Sequence, residues 1–318
     1  MSASTYHIPV LPEASLTGLG IGTQQHGVFV DATFGGGGHT QLMLDRLDEG
    51  SRIYGFDQDP DALANVPQDT RFELIPENFR FIRNFLRLAG VRTVDGILAD
   101  LGVSSHQFDQ AERGFSIRGE APLDMRMNPK EGKSAADLIA NCSPIELTRI
   151  FRQYGEINRP DKAAYAVERA RQSQRIHTTR QLMDALVGQA PRGRENKFFA
   201  QVFQALRIEV NDEMGALRTL LESSIELLPE GGRLVVISYH SLEDRLVKHF
   251  MRSGNFEDAM QRDFKGQLLA PFEPISRKAI VAEANEIEAN PRSRSARLRI
   301  AQRTGFSPEA DSSNTQLA

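Results

Sequence analysis

Apolar residues in the first hundred positions fall into short runs, and most of these runs end at an acid or a polar turn. Four runs rich in β-branched and aromatic residues read as strands, at 28–34, 53–56, 72–75 and 94–100. Apolar residues at helical spacing lie between them, for example Leu42, Met43, Leu44 and Leu47. This alternation predicts an α/β fold, a doubly wound parallel sheet whose ligand lies beyond the carboxyl ends of the strands.

The pattern changes at about residue 107, where the strand signals stop and five segments read as helices: 134–139, 144–154, 161–174, 179–189 and 196–211. It resumes with an amphipathic helix at 213–228, a β-branched strand at 234–238 and, at 296–301, an alternation typical of a half-exposed edge strand. We therefore predict a first domain in two parts, an inserted all-helical domain and a disordered polar tail. The boundaries are 1–106 and 206–306 for the two parts, 107–205 for the insert and 307–318 for the tail.

Four glycines, at 35–38, follow the first strand and lead directly into a helix. Glycine lets the backbone approach a ligand closely, and a helix start offers free N–H groups with positive partial charge. The dinucleotide pattern G-x-G-x-x-G is incomplete, because Thr40 or Gln41 stands at its third glycine. Asp57 follows the second strand, about 20 residues after the loop, where a carboxylate can hold a ribose hydroxyl pair. These residues predict a ligand that contains adenosine.

Composition narrows the class of protein. The 318 residues suffice for one large or two moderate domains, and a net charge of −4 gives no overall basic signature. The single cysteine, Cys142, excludes an internal disulfide framework and has no Cys or His ligand set nearby. The first residues lack a signal-peptide pattern, and no apolar run is long enough to span a bilayer. We predict a soluble, cytoplasmic protein with no membrane partner.

Two segments of the chain are nevertheless basic. Residues 159–207 contain ten Lys and Arg against four acids, and residues 291–303 contain five Arg and no acid. Such patches suit the phosphate backbone of a nucleic acid, but solvated protein surfaces can have the same composition. Charge therefore leaves both interpretations open.

Eight blocks of sequence carry a more specific signal, and they lie at 7–11, 31–40, 56–60, 100–105, 113–116, 123–127, 203–211 and 238–245. The second block reads Asp31-Ala32-Thr33-Phe34-Gly35-Gly36-Gly37-Gly38-His39-Thr40, and the last reads Ser238-Tyr239-His240-Ser241-Leu242-Glu243-Asp244-Arg245. Together the blocks closely resemble the bacterial ribosomal RNA small subunit methyltransferase H family, also called MraW. The resemblance runs from about residue 7 to residue 303, nearly the whole chain.

The resemblance implies a Rossmann-like, class I methyltransferase domain that uses S-adenosyl-L-methionine, with the inserted helical domain recognising the substrate. It implies methylation of the exocyclic N4 of one cytidine in the decoding region of 16S rRNA, in the small ribosomal subunit. The implied cofactor contacts are Gly37, Gly38, His39, Asp57, Phe79, Asp100 and Gln107.

The residues themselves suggest roles, each with an alternative. Asp57 would accept hydrogen bonds from the ribose hydroxyls, or would cap the helix that starts at Pro60. Phe79 would stack on adenine, or would be a core residue. For His39, the backbone N–H rather than the imidazole is the expected contact. His240, in the turn after the 234–238 strand, would act at the site or cap the helix that follows.

Methylation of an amino group also needs an acceptor for the departing proton. N4 and N6 amino methyltransferases commonly place Asn/Asp/Ser-Pro-Pro-aromatic at the fourth strand end, but here Asp100 is followed by Leu101-Gly102-Val103. Asp100 is our predicted catalytic residue, with cofactor binding as its alternative role. The base would stack on Phe115, Tyr239 or a similar residue. No histidine has metal-ligand spacing, so we predict no metal.

Three alternatives differ in class. A nicotinamide-dependent oxidoreductase is disfavoured by the missing third glycine, and a non-catalytic RNA-binding assembly factor by the presence of both Asp57 and Asp100. A methyltransferase for DNA cytosine or another RNA is disfavoured only by the family resemblance. The sequence leaves open the oligomeric state and whether naked rRNA or an assembled subunit is the substrate.

Overall fold

A computed structural model of the chain describes residues 9–22 and 26–307. The chain forms two compact units, of which the first comprises Met1–Gly102 and Ala216–Ala318 and the second comprises Val103–Gly215. The predicted disordered tail lies outside the described residues, except for its first residue, Ser307.

The first unit is built on a mixed sheet. In chain order the described strands are β1 (Val28–Asp31), β2 (Arg52–Phe56), β3 (Phe72–Ile75), β4 (Gly96–Asp100), β5 (Arg233–Ser238), β6 (Gln261–Arg262), β7 (Leu268–Leu269), β8 (Phe272–Pro274) and β9 (Arg297–Arg303). Seven of them form one sheet in the order β3-β2-β1-β4-β5-β9-β8, and β6 pairs only with β7. The pairs from β3 to β5 are parallel, whereas β9 runs antiparallel to both β5 and β8. The predicted doubly wound sheet is confirmed.

The register of this sheet brings the ends of three strands together. Asp31, at the end of β1, lies opposite Gly55 of β2 and Leu98 of β4. The strand order reverses at β1, because β2 follows on one side and β4 lies on the other. In open α/β sheets this switch point forms a crevice beyond the carboxyl ends of the strands.

The strand predicted at the edge of the sheet is not an edge strand. β9 pairs with β5 along one side and with β8 along the other. Because β8 is three residues long, it pairs with Ala301 to Arg303, and among the described residues the rest of β9 is bonded on that side at Ile300, which accepts from Ile275 N, and at Leu298, which bridges to Ile280. The alternation in the sequence reflects the two faces of β9, because Arg297 is exposed and Arg299 half-buried, whereas Leu298 and Ile300 are buried.

The α-helices are, in chain order, α1 (Pro12–Leu19), α2 (Gly38–Arg46), α3 (Ile82–Leu88), α4 (Ser105–Asp109), α5 (Ala135–Asn141), α6 (Pro144–Gln153), α7 (Pro160–Ser173), α8 (Thr179–Leu186), α9 (Glu195–Asn211), α10 (Glu213–Leu227), α11 (Ser241–Ser253) and α12 (Ala284–Ala289). The five helices predicted for the insert are present as α5 to α9. In the part of the chain that the structure describes, no helix has both the length and the apolar character needed to cross a membrane.

The second unit, Val103–Gly215, is longer than the predicted insert at both ends. The predicted limit at 205 falls inside α9, whose buried face, including Phe203 and Leu206, belongs to the core of this unit. At the end of α9, Asn211 accepts a hydrogen bond from Met127 N at 2.7 Å. The helix is thus held by the second unit along its whole length.

Candidate active site

The glycine loop has a backbone that other residues would strain. Gly35 and Gly37 have φ angles of 51° and 75°, in the left-handed region. A Cβ added to Gly37 would lie 3.1 Å from the Phe34 ring. Gly37 also precedes α2, and no side chain of the described residues caps that helix. The first N–H groups of α2 are therefore available to a ligand.

Asp57 connects this loop to the end of β2. Its Oδ2 accepts a hydrogen bond from Gly35 N at 2.7 Å, and its Oδ1 accepts one from Asp59 N at 2.8 Å. Each carboxylate oxygen keeps a second lone pair, so the group can still accept two hydroxyl donors. Burial raises the pKa of Asp57 to about 6, with a smaller contribution from the nearby carboxylates of Asp59 and Asp31 and against the lowering effect of the two backbone donors.

The alternative role of Asp57 as a helix cap is wrong. The segment Pro60–Asn65 is a 3₁₀ helix whose N-cap is Asp59, and the Asp59 Oδ1 accepts from Asp61 N at 3.1 Å. Because the Asp57 side chain, two residues earlier, is not needed for capping, it is left for the loop and for a ligand.

Phe79 opens a 3₁₀ turn, Phe79–Phe81, shortly after β3. It is only half-buried, so the alternative of a core phenylalanine is wrong. The preceding residue, Asn78, donates to Gln58 Oε1 at 2.9 Å, and Gln58 directly follows Asp57. The aromatic ring and the Asp57 carboxylate are therefore carried by two strand ends that are tied to each other.

Asp100, the last residue of β4, is held from three directions. Its backbone N–H donates to Thr33 Oγ1 at 2.6 Å, its Oδ1 accepts from Tyr239 O–H at 2.7 Å, and its Oδ2 lies 3.9 Å from His39 Nδ1. Burial raises the pKa of the Asp100 carboxyl to about 6, against the lowering effects of His39 and Tyr239. The side chain is still 22% exposed, so a substrate can reach it.

The imidazole of His39 makes two contacts that the sequence did not predict. Its Nε2 lies 3.0 Å from the carbonyl oxygen of Val10 and, because a carbonyl only accepts, Nε2 carries a proton. The other ring nitrogen, Nδ1, is the atom that faces the Asp100 carboxylate. The buried ring thus packs between the N-terminal segment and the Asp100 carboxylate.

His240 is a helix cap, which was one of the two roles considered for it. Its Nδ1 accepts from Glu243 N at 3.4 Å, at the start of α11, and the Glu243 Oε2 accepts in return from His240 N at 3.4 Å and also from Tyr239 N at 2.9 Å. This capping box orients the turn after β5, and with it the tyrosine that bonds to Asp100.

Sequence reasoning missed two partners of Asp100. Thr33 and Tyr239 both stand in the blocks that carry the family resemblance, but nothing local pointed to their contacts. Phe115, named beside Tyr239 as a stacking candidate, is wrong for that role, because it is 5% exposed and part of the core of the second unit. Asp31 was also not singled out as a site residue. It is buried at the end of β1, where Thr33 N and Thr40 Oγ1 donate to it, and burial raises its pKa.

Gln107 is a member of the second unit. Its Oε1 accepts from Ser104 N at 3.1 Å and its N–H donates to Ser104 Oγ at 3.2 Å, which forms a capping box on α4. The side chain is buried. A cofactor contact for Gln107 stays a prediction.

The basic segment of the second unit contains cations of two kinds. Some are neutralised within the unit: Arg171 pairs with Glu168, Arg180 with Asp184 at 3.1 Å, and Arg207 with Glu213 at 2.7 Å. Others line a cleft of about 630 Å³ and form no ion pair with any described residue, namely Arg159, Lys162, Arg194 and Lys197. Part of the positive charge that the sequence shows in residues 159–207 is therefore concentrated at one cleft.

The chain is similar to known proteins over nearly its whole length. Residues 4–304 match the family described as the MraW methylase family. A protein of Parabacteroides distasonis named ribosomal RNA small subunit methyltransferase H is 50% identical over 301 residues, which cover 94% of this chain and 98% of that protein. The protein of the same name from Cytophaga hutchinsonii is 51% identical over 300 residues, covering 94% and 99%. A solved rRNA methylase of Streptococcus thermophilus overlays with a TM-score of 0.40 and 10% identity, covering 96% of this chain and 99% of that chain.

Proposed function

This chain belongs to the MraW methylase family, and on that premise we propose that it methylates the exocyclic N4 of one cytidine in the decoding region of 16S rRNA. It is a methyltransferase that uses S-adenosyl-L-methionine, and rRNA of the small ribosomal subunit is its substrate. The observation that carries the proposal for an amino target is the partly exposed, tyrosine-bound carboxylate of Asp100, at the strand end next to the glycine loop.

The residues at the strand ends fit S-adenosyl-L-methionine. Asp57 would accept the two ribose hydroxyls with the lone pairs that Gly35 and Asp59 leave unused. Phe79 would lie against adenine, and the backbone at Gly37, Gly38 and His39 would contact the remainder of the cofactor. When bound, S-adenosyl-L-methionine supplies the methyl group. Asp100 borders this region and would in addition contact the cofactor.

The chemistry left to the protein is the removal of one proton. When the cytosine amino nitrogen forms its bond to the methyl carbon, it must lose an N–H proton, and we assign that proton to the carboxylate of Asp100. A pKa of about 6 leaves this group ionised at neutral pH and more basic than an ordinary aspartate. Tyr239 holds the carboxylate and Thr33 holds the backbone N–H of Asp100, so little reorganisation is needed during transfer.

The second unit supplies support for RNA as the substrate. Arg159, Lys162, Arg194 and Lys197 line one cleft without ion-pair partners in the described part of the chain, as a phosphate-binding surface requires. The target base must be unstacked or single-stranded to reach the carboxylate that accepts its amino proton. The cytoplasmic location stays a prediction.

The proposal is tested by methyl transfer from labelled S-adenosyl-L-methionine to small subunits, and to naked 16S rRNA, taken from cells that lack the enzyme. We expect label in one decoding-region cytidine, identified as N4-methylcytidine by mass spectrometry of the nucleosides. RNA from cells that contain the enzyme is the control and should accept little label. Label in a different nucleoside, or no transfer to either RNA while the cofactor still binds, would contradict the proposal.

The two raised carboxyl pKa values predict an unusual pH profile. Asp57 and Asp100 both have pKa values of about 6, so both ionise between pH 5 and 7. We expect kcat/KM for S-adenosyl-L-methionine to fall below about pH 6, with a slope approaching two because each carboxylate is needed.

Protonation of these two carboxylates is not expected to unfold the protein, so unfolding would not explain a loss of activity at low pH. Their pKa values in the folded protein lie above the usual 3.8, so protonation stabilises the fold. This stabilisation is complete below the unfolded pKa and is lost as pH rises through about 6. Circular dichroism should thus show an intact fold at pH 5.5, where activity has dropped. A flat kcat/KM profile down to pH 5 would refute the assignment.

A further inference from the structure

A second cleft, of about 560 Å³, lies in the first unit beside the carboxyl end of β5. It is lined by the turn Tyr239-His240-Ser241, by one side of α11 and by residues 294–297. Two features of the sequence thus meet here, the block at 238–245 and the arginine-rich segment at 291–303. The volume is within the range of about 300–1,000 Å³ typical of ligand sites.

The cleft carries positive charge that the described residues do not neutralise. Lys248, Arg294 and Arg297 line it and are exposed, and none of them has an ion pair or side-chain hydrogen bond among the described residues. The carboxylate in the same wall, Asp244, is already bound by Arg299, with Nε–Oδ1 and Nη2–Oδ2 distances of 2.7 and 3.1 Å. An anionic ligand would therefore meet three free cations.

The arginines of the 291–303 segment differ in what they do. Arg299 pairs with Asp244, and Arg303 is buried and donates to the carbonyl oxygens of Ile225 and Pro271. These two hold the fold together. Within residues 9–22 and 26–307, the side chains of Arg294 and Arg297 have no such partner, which is the pattern expected of residues that serve a ligand.

Tyr239 connects the cleft to the catalytic carboxylate. The same tyrosine lines the cleft and donates its hydroxyl proton to Asp100 Oδ1 at 2.7 Å. We propose that the cleft binds a backbone phosphate of the RNA next to the target nucleotide, so that Lys248, Arg294 and Arg297 hold the phosphate while the base reaches Asp100. This proposal rests on the proposed function, because it assigns a subsite to the same RNA.

The chemistry of the side chains favours a phosphodiester over other anions. A guanidinium group offers a planar fork that matches two phosphate oxygens, and two such groups stand here with one ammonium. Base and phosphate of one nucleotide are separated by a single ribose, so adjoining sites for the two are what a nucleotide substrate requires.

The test is the double variant Arg294→Gln/Arg297→Gln in the full-length enzyme, assayed with small subunits and with 16S rRNA. We expect KM for RNA to rise about tenfold at 0.1 M salt, and the slope of log affinity against log salt to fall by about one to two units. We expect kcat at saturating RNA, the Kd for S-adenosyl-L-methionine and the melting temperature to remain unchanged.

The matched control is Arg87→Gln/Arg92→Gln. Both arginines are exposed and precede β4, at the opposite, amino edge of the sheet, so the control removes the same charge away from the cleft. An equal rise in KM in both variants would show a general charge effect and overturn the proposal. So would a weaker Kd for S-adenosyl-L-methionine in the cleft variant, which would assign the cleft to the methyl donor instead.

Filter binding of 16S rRNA, without methyl transfer, tests the phosphate subsite separately from the proposed function. Failure of the wild-type enzyme to methylate either RNA contradicts the proposed function. Unchanged RNA affinity of Arg294→Gln/Arg297→Gln relative to wild type contradicts the phosphate subsite, whatever the outcome of the transfer assay.

Discussion

Asp100→Asn is expected to lower the rate of methyl transfer by about 10²- to 10⁴-fold, the range found when a general base is removed. Asparagine has the same shape and can still accept the Tyr239 hydroxyl, but it cannot take a proton from the target amino group. Its amide oxygen and nitrogen would take the places of the two carboxylate oxygens, one beside the Tyr239 hydroxyl and the other beside His39 Nδ1. The substitution therefore removes the proton acceptor with little change in packing.

Stability should not fall in this variant. Because the pKa of Asp100 is raised to about 6, the ionised carboxylate destabilises the folded state at neutral pH, and a neutral amide removes that cost. Single-turnover rates with bound cofactor and a thermal melt would check both statements. A rate within tenfold of wild type, with a normal melt, would exclude Asp100 as the proton acceptor.

Tyr239→Phe is the companion variant. It removes the 2.7 Å hydrogen bond to Asp100 and leaves the carboxylate free to ionise. A loss of about tenfold in kcat is expected, since one such bond contributes roughly 1–1.5 kcal/mol. The double variant should be no slower than Asp100→Asn, because the tyrosine acts through the acid. A full additive loss would mean that Tyr239 has a separate role.

Asp57→Ala is expected to weaken S-adenosyl-L-methionine binding by about 10²- to 10⁴-fold. Two hydrogen bonds from ribose hydroxyls to a carboxylate contribute roughly 1.5–3 kcal/mol each. Alanine also removes the acceptor for Gly35 N, so the glycine loop loses its tie to β2. Isothermal calorimetry of the full-length chain measures the dissociation constant directly.

Asp59→Ala is a close control for this variant. The Asp59 side chain caps the 3₁₀ helix, whereas its contact with Asp57 is made by the backbone N–H, which alanine retains. Stability should drop by about 1 kcal/mol, as for other lost N-caps, with a cofactor affinity within about threefold of wild type. An unchanged dissociation constant in Asp57→Ala, or an equal loss in both variants, would remove the ribose role from Asp57.

Local sequence patterns determined much of the fold of this protein and several residues of its candidate site. Apolar runs that end at or just before an acid placed the ends of β2 and β4, because a strand and its following turn are encoded by neighbouring residues, whereas β1 ends at Asp31 and not at residue 34 as predicted. Since parallel strands end at one edge, the glycine loop, Asp57, Phe79 and Asp100 could be assigned to one crevice. The helices α5 to α9 followed from their spacing in the same way.

Only the tertiary structure decided which distant side chains meet. Tyr239 bonds to Asp100 across 139 positions because β5 lies next to β4 after the chain has returned from the second unit. The sequence likewise could not show that Arg171 forms an ion pair while Arg194 lines a cleft, because an ion pair depends on which carboxylate the packing brings near. The spacing of apolar residues shows which face of a helix or strand is buried. Which residues pack against that face is decided by the order of the strands and the packing of the helices.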